Sequence, residues 1–221
     1  MRAALAIFRK DLRIEWRTRE SLSTLVVLAV LLIVALTVAH DPTPAEAVRL
    51  APGILWAAVI FTGVLAVQRS FLAEREHDCL AMLVGAPIDP AAVYAGKALG
   101  MVVLLAAMQC VVVPLVSIML RVPVWPVLPE LALVLGLGDL GFAGLATLFA
   151  AMTARLRVRE MLLPILLLPL LTPVLIAGVK ATEAVLTDGM AAAGEALGVL
   201  VAFDVIFLVA GWLLFPFVVR D

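Results

Sequence analysis

Across 221 residues the chain is 65% hydrophobic and only 15% charged, with a mean hydropathy of +1.18. That balance excludes a soluble globular domain and defines a polytopic membrane protein. The formal net charge of −1 hides an uneven placement of cations, and the two cysteines, Cys79 in a polar connection and Cys110 in an apolar stretch, do not predict a disulfide.

The first twenty residues carry Leu5, Phe8, Leu12 and Trp16 at three- and four-residue steps, with Arg9, Arg13, Arg17 and Glu20 on neighbouring faces and Lys10 and Asp11 in the same stretch. This pattern predicts an amphipathic helix over residues 1–20, lying along the membrane surface with Trp16 at headgroup depth. A flank that merely orients the first span is the plainer reading. A nucleic-acid arm is disfavoured, because the same helix spends its other face on lipid.

Six apolar stretches follow, roughly Ser21 to Ala39, Ala51 to Val67, Gly96 to Leu120, Leu131 to Met152, Met161 to Val179 and Leu197 to Val219. Their long, continuous runs favour helices over a barrel, whose strands would alternate with period two. The expected fold class is therefore an all-α polytopic membrane protein in a single domain, 1–221. The first span is too long and too basic in its flank for a cleavable signal peptide, and no small-residue cleavage site precedes His40, Asp41 and Pro42. Thirteen of the sixteen Lys and Arg residues fall on one side, leaving Arg49, Arg121 and Lys180 on the other. The positive-inside rule then places both termini and the Glu74 to Pro90 connection in the cytoplasm.

That second connection, QRSFLAEREHDCLAMLVGAPIDP over residues 68–90, is the most charged stretch of the chain. Leu72, Glu76, Cys79, Leu80 and Leu83 share a helical stripe, while Glu74, Arg75 and Asp78 point elsewhere, and Gly85, Ala86 and Pro87 end the helix. An apolar stripe with mixed charges suits docking into a groove on a soluble partner. A solvated helix with internal Glu–Arg pairs is the alternative. The chain carries no energy source of its own: Gly96 and Lys97 lack the leading glycine and the following hydroxyl of a phosphate loop. They are expected to begin the third span, with Tyr94 and Lys97 anchored at the interface.

Catalytic constellations are poorly supported. The two histidines, His40 and His77, lie in connections on opposite sides of the membrane, so they cannot share a site in one chain; His40 alone is a weak candidate cofactor ligand. Asp139 and Asp204 sit within spans four and six without a basic neighbour in the same span. Carboxyls at such depth mark a polar gate or substrate path, or a hydrogen bond to a neighbouring helix. For Asp139, flanked by Gly138, Gly141 and Gly144, helix packing comes first. Span five contains Pro164, Pro169 and Pro173, each removing a backbone donor and favouring a kink, which places the span beside a partner helix or cavity. Residues 180–196 are expected to form a short helix at the outer interface.

The succession FRKDLRIEWRTRESLST, LAPGILWAAVIFTGVLAVQRSFLAEREHDCLAMLVGAPIDPAAVYAGK, LGFAGLATLFAAM, REMLLPILLLPLLTPVLIAG and AFDVIFLVAGWLLF resembles the CcmB family, the haem exporter permeases of cytochrome c maturation. The resemblance covers essentially the whole chain and rests on the order and spacing of strings that are individually mostly apolar. It implies an ABC-2 type exporter fold, with an elbow helix on Arg9, Lys10, Asp11, Arg13 and Trp16 and a cytoplasmic coupling helix on Leu72, Glu74, Arg75, Glu76, Asp78 and Leu83. It also implies a homodimer on two copies of a CcmA-like ATPase, which binds the ATP, together with a haem-handling CcmC-like subunit and a small single-span CcmD-like subunit. The implied setting is the bacterial inner membrane, with haem as cargo passed to a periplasmic haem chaperone and no cofactor bound directly by this chain. The four tryptophans, Trp16, Trp56, Trp125 and Trp212, do not reproduce the tryptophan-rich haem-binding segment of the companion haem-handling protein. A generic ABC-2 permease for lipid, polysaccharide or drug would share these features except the cargo, and a non-transporting scaffold would need no ATPase.

Overall fold

The computed structural model describes residues 5, 7–9, 20–75, 89–153 and 159–220, with backbone only at 20–22, 70–75, 159–161 and 219–220. Six long helices account for most of them: α1 (Glu20–His40), α2 (Pro44–Arg75), α3 (Pro90–Leu120), α4 (Leu128–Thr153), α5 (Arg159–Thr187) and α6 (Gly194–Arg220). All six are long and apolar enough to cross a membrane, so the protein is a multi-pass membrane protein of the all-α class. In hydrocarbon each helix satisfies its own backbone, which is why apolar content translates so directly into helix here.

Local chemistry sets the helix ends beyond the apolar runs. Thr43 caps α2: its backbone N–H and its hydroxyl both donate to Glu46 Oε2, at 2.9 and 2.7 Å, and Pro44 occupies the first helical position. Glu46 reaching back to the Thr43 N–H is one half of a capping box, and with Pro44 it starts the helix seven residues before the apolar run at Ala51. Asp89 caps α3 by accepting from the Ala91 N–H at 3.0 Å, again with proline next. At the far end of α3, Arg121 takes a left-handed conformation (φ 54°) and the Val122 N–H reaches back to the Ser117 carbonyl at 3.2 Å. The turn after α5 uses Gly189 at φ 87°, whose N–H reaches the Ala184 carbonyl at 2.8 Å; a side chain there would be strained.

The bundle is layered around α2 and α4. In each, 72% of the span is buried, against 17% in α1 and 22% in α6. Helix α4 packs against α3, α5 and α6, while α2 packs against α1, α3 and α5. Short connections at 41–43, 121–127 and 188–193 lie at one end, as the up-and-down order requires. At the other end Ile7, from the N-terminal segment, is buried with Val93, Tyr94, Leu148, Ala151 and Phe215.

Two expectations need correction, and a third set of residues is located. Tyr94 and Lys97 are not interfacial anchors: they are 2% and 6% exposed, because α3 starts at Pro90 and carries both into the bundle. Residues 180–196 are not one short outer helix; α5 continues to Thr187, and only a 3-10 turn at Met190–Ala193 precedes α6. Pro164, Pro169 and Pro173 lie inside a single unbroken α5.

Candidate functional site

The interior of the bundle is built on apolar side chains, so each polar group there must find a partner or remain costly. Gln109 of α3 donates its side-chain N–H to Asp139 Oδ1 of α4 at 2.8 Å, and both residues are buried. Asp139 thus binds its neighbour helix, the bridging role that a buried carboxyl in a span allows. Asp204 of α6 is 6% exposed, and neither carboxyl oxygen has a hydrogen-bond partner among the described residues. Its Oδ1 lies over Gly141, where an added Cβ would stand 2.5 Å away.

Two aromatic side chains lock helices together. The Trp56 indole of α2 lies in a slot formed by Gly138 of α4 and Gly178 of α5, at both of which a methyl group would overlap the ring. Its Nε1–H donates to Thr182 Oγ1 on α5 at 2.9 Å. Trp56 therefore joins three helices at once. Tyr94 of α3 likewise lies against Gly211 and donates its hydroxyl proton between the carbonyls of Gly144, at 3.1 Å, and Phe207, at 3.3 Å. The glycines of α4 thus serve different neighbours: Gly138 admits Trp56, Gly141 admits Asp204 and Phe203, and Gly144 admits Leu208 and Tyr94.

Other predicted positions sort plainly. Leu72, Glu74 and Arg75 belong to the last turns of α2, whereas Glu76, Asp78 and Leu83 lie outside the described residues. Arg9 is exposed, and Lys10, Asp11, Arg13 and Trp16 also lie outside them. Pro164 is half-buried, while Pro169 and Pro173 face outward on one stripe of α5 with Thr172; the Thr172 hydroxyl donates to the Leu168 carbonyl at 3.2 Å. His40 ends α1, exposed, with Nδ1 2.9 Å from the Leu36 carbonyl of its own helix. No group of three or more His, Cys, Asp or Glu side chains converges as a metal site among the described residues.

Trp56, Gln109 and Thr182 were not singled out from sequence. Gln109 alone carried a readable signal, as an amide within an apolar run; the partners of Trp56 lie 82 and 126 residues away in the chain, beyond any local pattern.

A multi-pass helical membrane protein with internal polar cross-links and a long helix leading into a charged connection is the class this fold and site define. The sequence model of the family described as "CcmB protein" matches residues 2–220. The chain belongs to that family. It is 29% identical to "Heme exporter protein B" of Bradyrhizobium diazoefficiens over 212 residues, covering 96% of this chain and 94% of that protein. Proteins of the same name from Paracoccus denitrificans (32% identical, 80% of this chain and 81% of that one) and Rhodobacter capsulatus (30%, 79% and 80%) are also similar.

Proposed function

We propose that this chain is the permease subunit of an ATP-driven complex that handles haem in the bacterial inner membrane. The whole-length family match carries the reading, and the name "Heme exporter protein B" borne by the relatives supplies the cargo. ATP is bound by a separate CcmA-like ATPase, and haem release proceeds with CcmC-like and CcmD-like subunits, on a dimer of this chain, to a periplasmic haem chaperone.

The force enters at the α2–α3 connection. An ATPase docked on Leu72, Glu74, Arg75, Glu76, Asp78 and Leu83 pushes on the end of α2. Helix α2 is continuous from Arg75 back to Trp56, and a rigid helix transmits axial displacement along its length. At Trp56 the indole, clamped by Gly138 and Gly178, carries that displacement to α4 and α5. Whether haem crosses this chain or is released by its motion, the lever is the same. Among the described residues the spans carry few cations to meet haem propionates, which supports release through motion.

Charge reversal at Glu74 and Glu76 tests the docking. The Glu74→Lys/Glu76→Lys chain should insert normally but fail to co-purify the ATPase, with nucleotide-dependent haem release falling in parallel. Undiminished assembly of that variant would sink the claim, and an ATPase recovered without any haem-bearing partner would redirect the reading to another cargo.

A further inference from the structure

A trough of about 550 Å³ opens between α5 and the start of α6, and neither Trp56 nor Asp139 is among the residues that line it. Its walls include Pro169, Pro173 and Ile176 from α5 and Val199 from α6, and its rim carries one cation, Lys180, and one anion, Glu195. All six side chains are exposed. Neither Lys180 nor Glu195 is paired with another described residue.

The dimensions match one membrane leaflet. Lys180 and Pro169 are eleven residues apart on one helix, so the trough runs about 16 Å along α5, and half of a bilayer's hydrocarbon core is about 15 Å. Glu195 lies in the first turn of α6 and Lys180 about two turns before α5 ends at Thr187; both border the trough, and the apolar wall extends from them along α5. The floor is not wholly apolar: Pro173 has no N–H, so the Pro169 carbonyl loses its ordinary helical partner.

From this arrangement we propose that the α5–α6 trough is a binding site for a zwitterionic phospholipid, of the phosphatidylethanolamine class. The lipid phosphate sits on Lys180, its ammonium on Glu195, and an acyl chain lies along Ile176 and Val199 toward Pro169. An anionic lipid satisfies Lys180 but meets repulsion from Glu195, and a choline headgroup cannot donate a hydrogen bond to the carboxylate. The charge pattern therefore selects the headgroup, while the trough selects depth. The site is independent of the haem reading; it needs that the protein spans a membrane and that this face of α5 lies outside the proposed dimer contact.

The test is native mass spectrometry of the full-length protein, extracted in mild detergent and supplied separately with phosphatidylethanolamine, phosphatidylglycerol and phosphatidylcholine. Retention of phosphatidylethanolamine over the other two by about fivefold is expected, the scale of one interfacial charge contact. Lys180→Ala should remove that preference, Glu195→Gln should let phosphatidylglycerol compete, and Ile176→Trp, which fills the trough, should abolish retention of all three. Because these side chains are exposed, unchanged melting of each variant separates lost binding from lost fold. Equal retention of the three lipids, or retention indifferent to all three substitutions, would mean ordinary annular contact and overturn the site. So would disulfide cross-linking between two copies of an Ile176→Cys variant, which would assign the trough to a second chain, or Lys180-dependent binding of iron protoporphyrin without any lipid preference.

Discussion

Gln109 and Asp139 are more consequential as a pair than either is alone. Removing one partner leaves the other buried with an unmet hydrogen bond, at about 1–3 kcal/mol, while replacing both by apolar groups leaves little unmet. Asp139→Leu should therefore lower the unfolding free energy in detergent by about 1–2 kcal/mol, within the range seen for polar pairs in membrane helices. The double variant Asp139→Leu/Gln109→Leu should recover most of that loss. Asp204 predicts the opposite. Its carboxyl oxygens are buried without a partner, so Asp204→Leu should leave stability unchanged or raise it. If Asp204 serves the transport path, as a carboxyl in a span suggests, the same variant should depress haem release while it melts normally. Denaturation of the four proteins decides the stability claim, and a destabilised Asp204→Leu would show that Asp204 holds the α4–α6 seam.

At the scale of elements, the Trp56 clamp predicts that α2, α4 and α5 move as one body. Gly178→Ala would force a methyl group into the indole, and overpacking of this kind costs about 1–3 kcal/mol. Trp56→Phe keeps most of the ring but loses the Thr182 bond, at about 1 kcal/mol. If the clamp transmits force, Trp56→Phe should retain ATPase activity in the assembled complex while haem release falls more than stability does. Equal losses in both would reduce the clamp to packing. The six helices themselves were legible from the chain, since an apolar run of that length has one way to satisfy its backbone in lipid. Their ends were less so: the Thr43–Glu46 contact and the Asp89 cap lengthen α2 and α3 by polar contacts that hydropathy does not register. Asp139 and Asp204 were legible as costly groups, but the choice of Gln109 for one and of nothing for the other depends on which helices become neighbours. Tyr94 misled for the same reason, because its carbonyl partners come from α4 and α6.

The whole molecule combines a packed α2–α4 centre with outer faces of α1 and α6 that leave Val27, Leu31, Val38, Ile206, Leu213 and Phe217 more than half exposed. Faces of this kind suit lipid or other membrane helices, and they give no direction across the bilayer. Direction comes from charge. Six spans return both termini to one side, and the Lys and Arg residues of the N-terminal segment, of the α2–α3 and α4–α5 connections and of Arg220 share that side. The positive-inside bias predicts that the short connections around Asp41, Arg121 and Asp188 face the periplasm. Single cysteines test this in a chain with Cys79 and Cys110 replaced by serine. Asp41→Cys and Asp188→Cys, both at exposed turn positions, should react with a membrane-impermeant maleimide in intact spheroplasts. Asp89→Cys, at the opposite end of α3, should react only after the membrane is opened. Labelling of Asp89→Cys from outside with protection of the other two would invert the topology. It would place the α2–α3 connection on the side without ATP, and the lever proposed for α2 would fail with it.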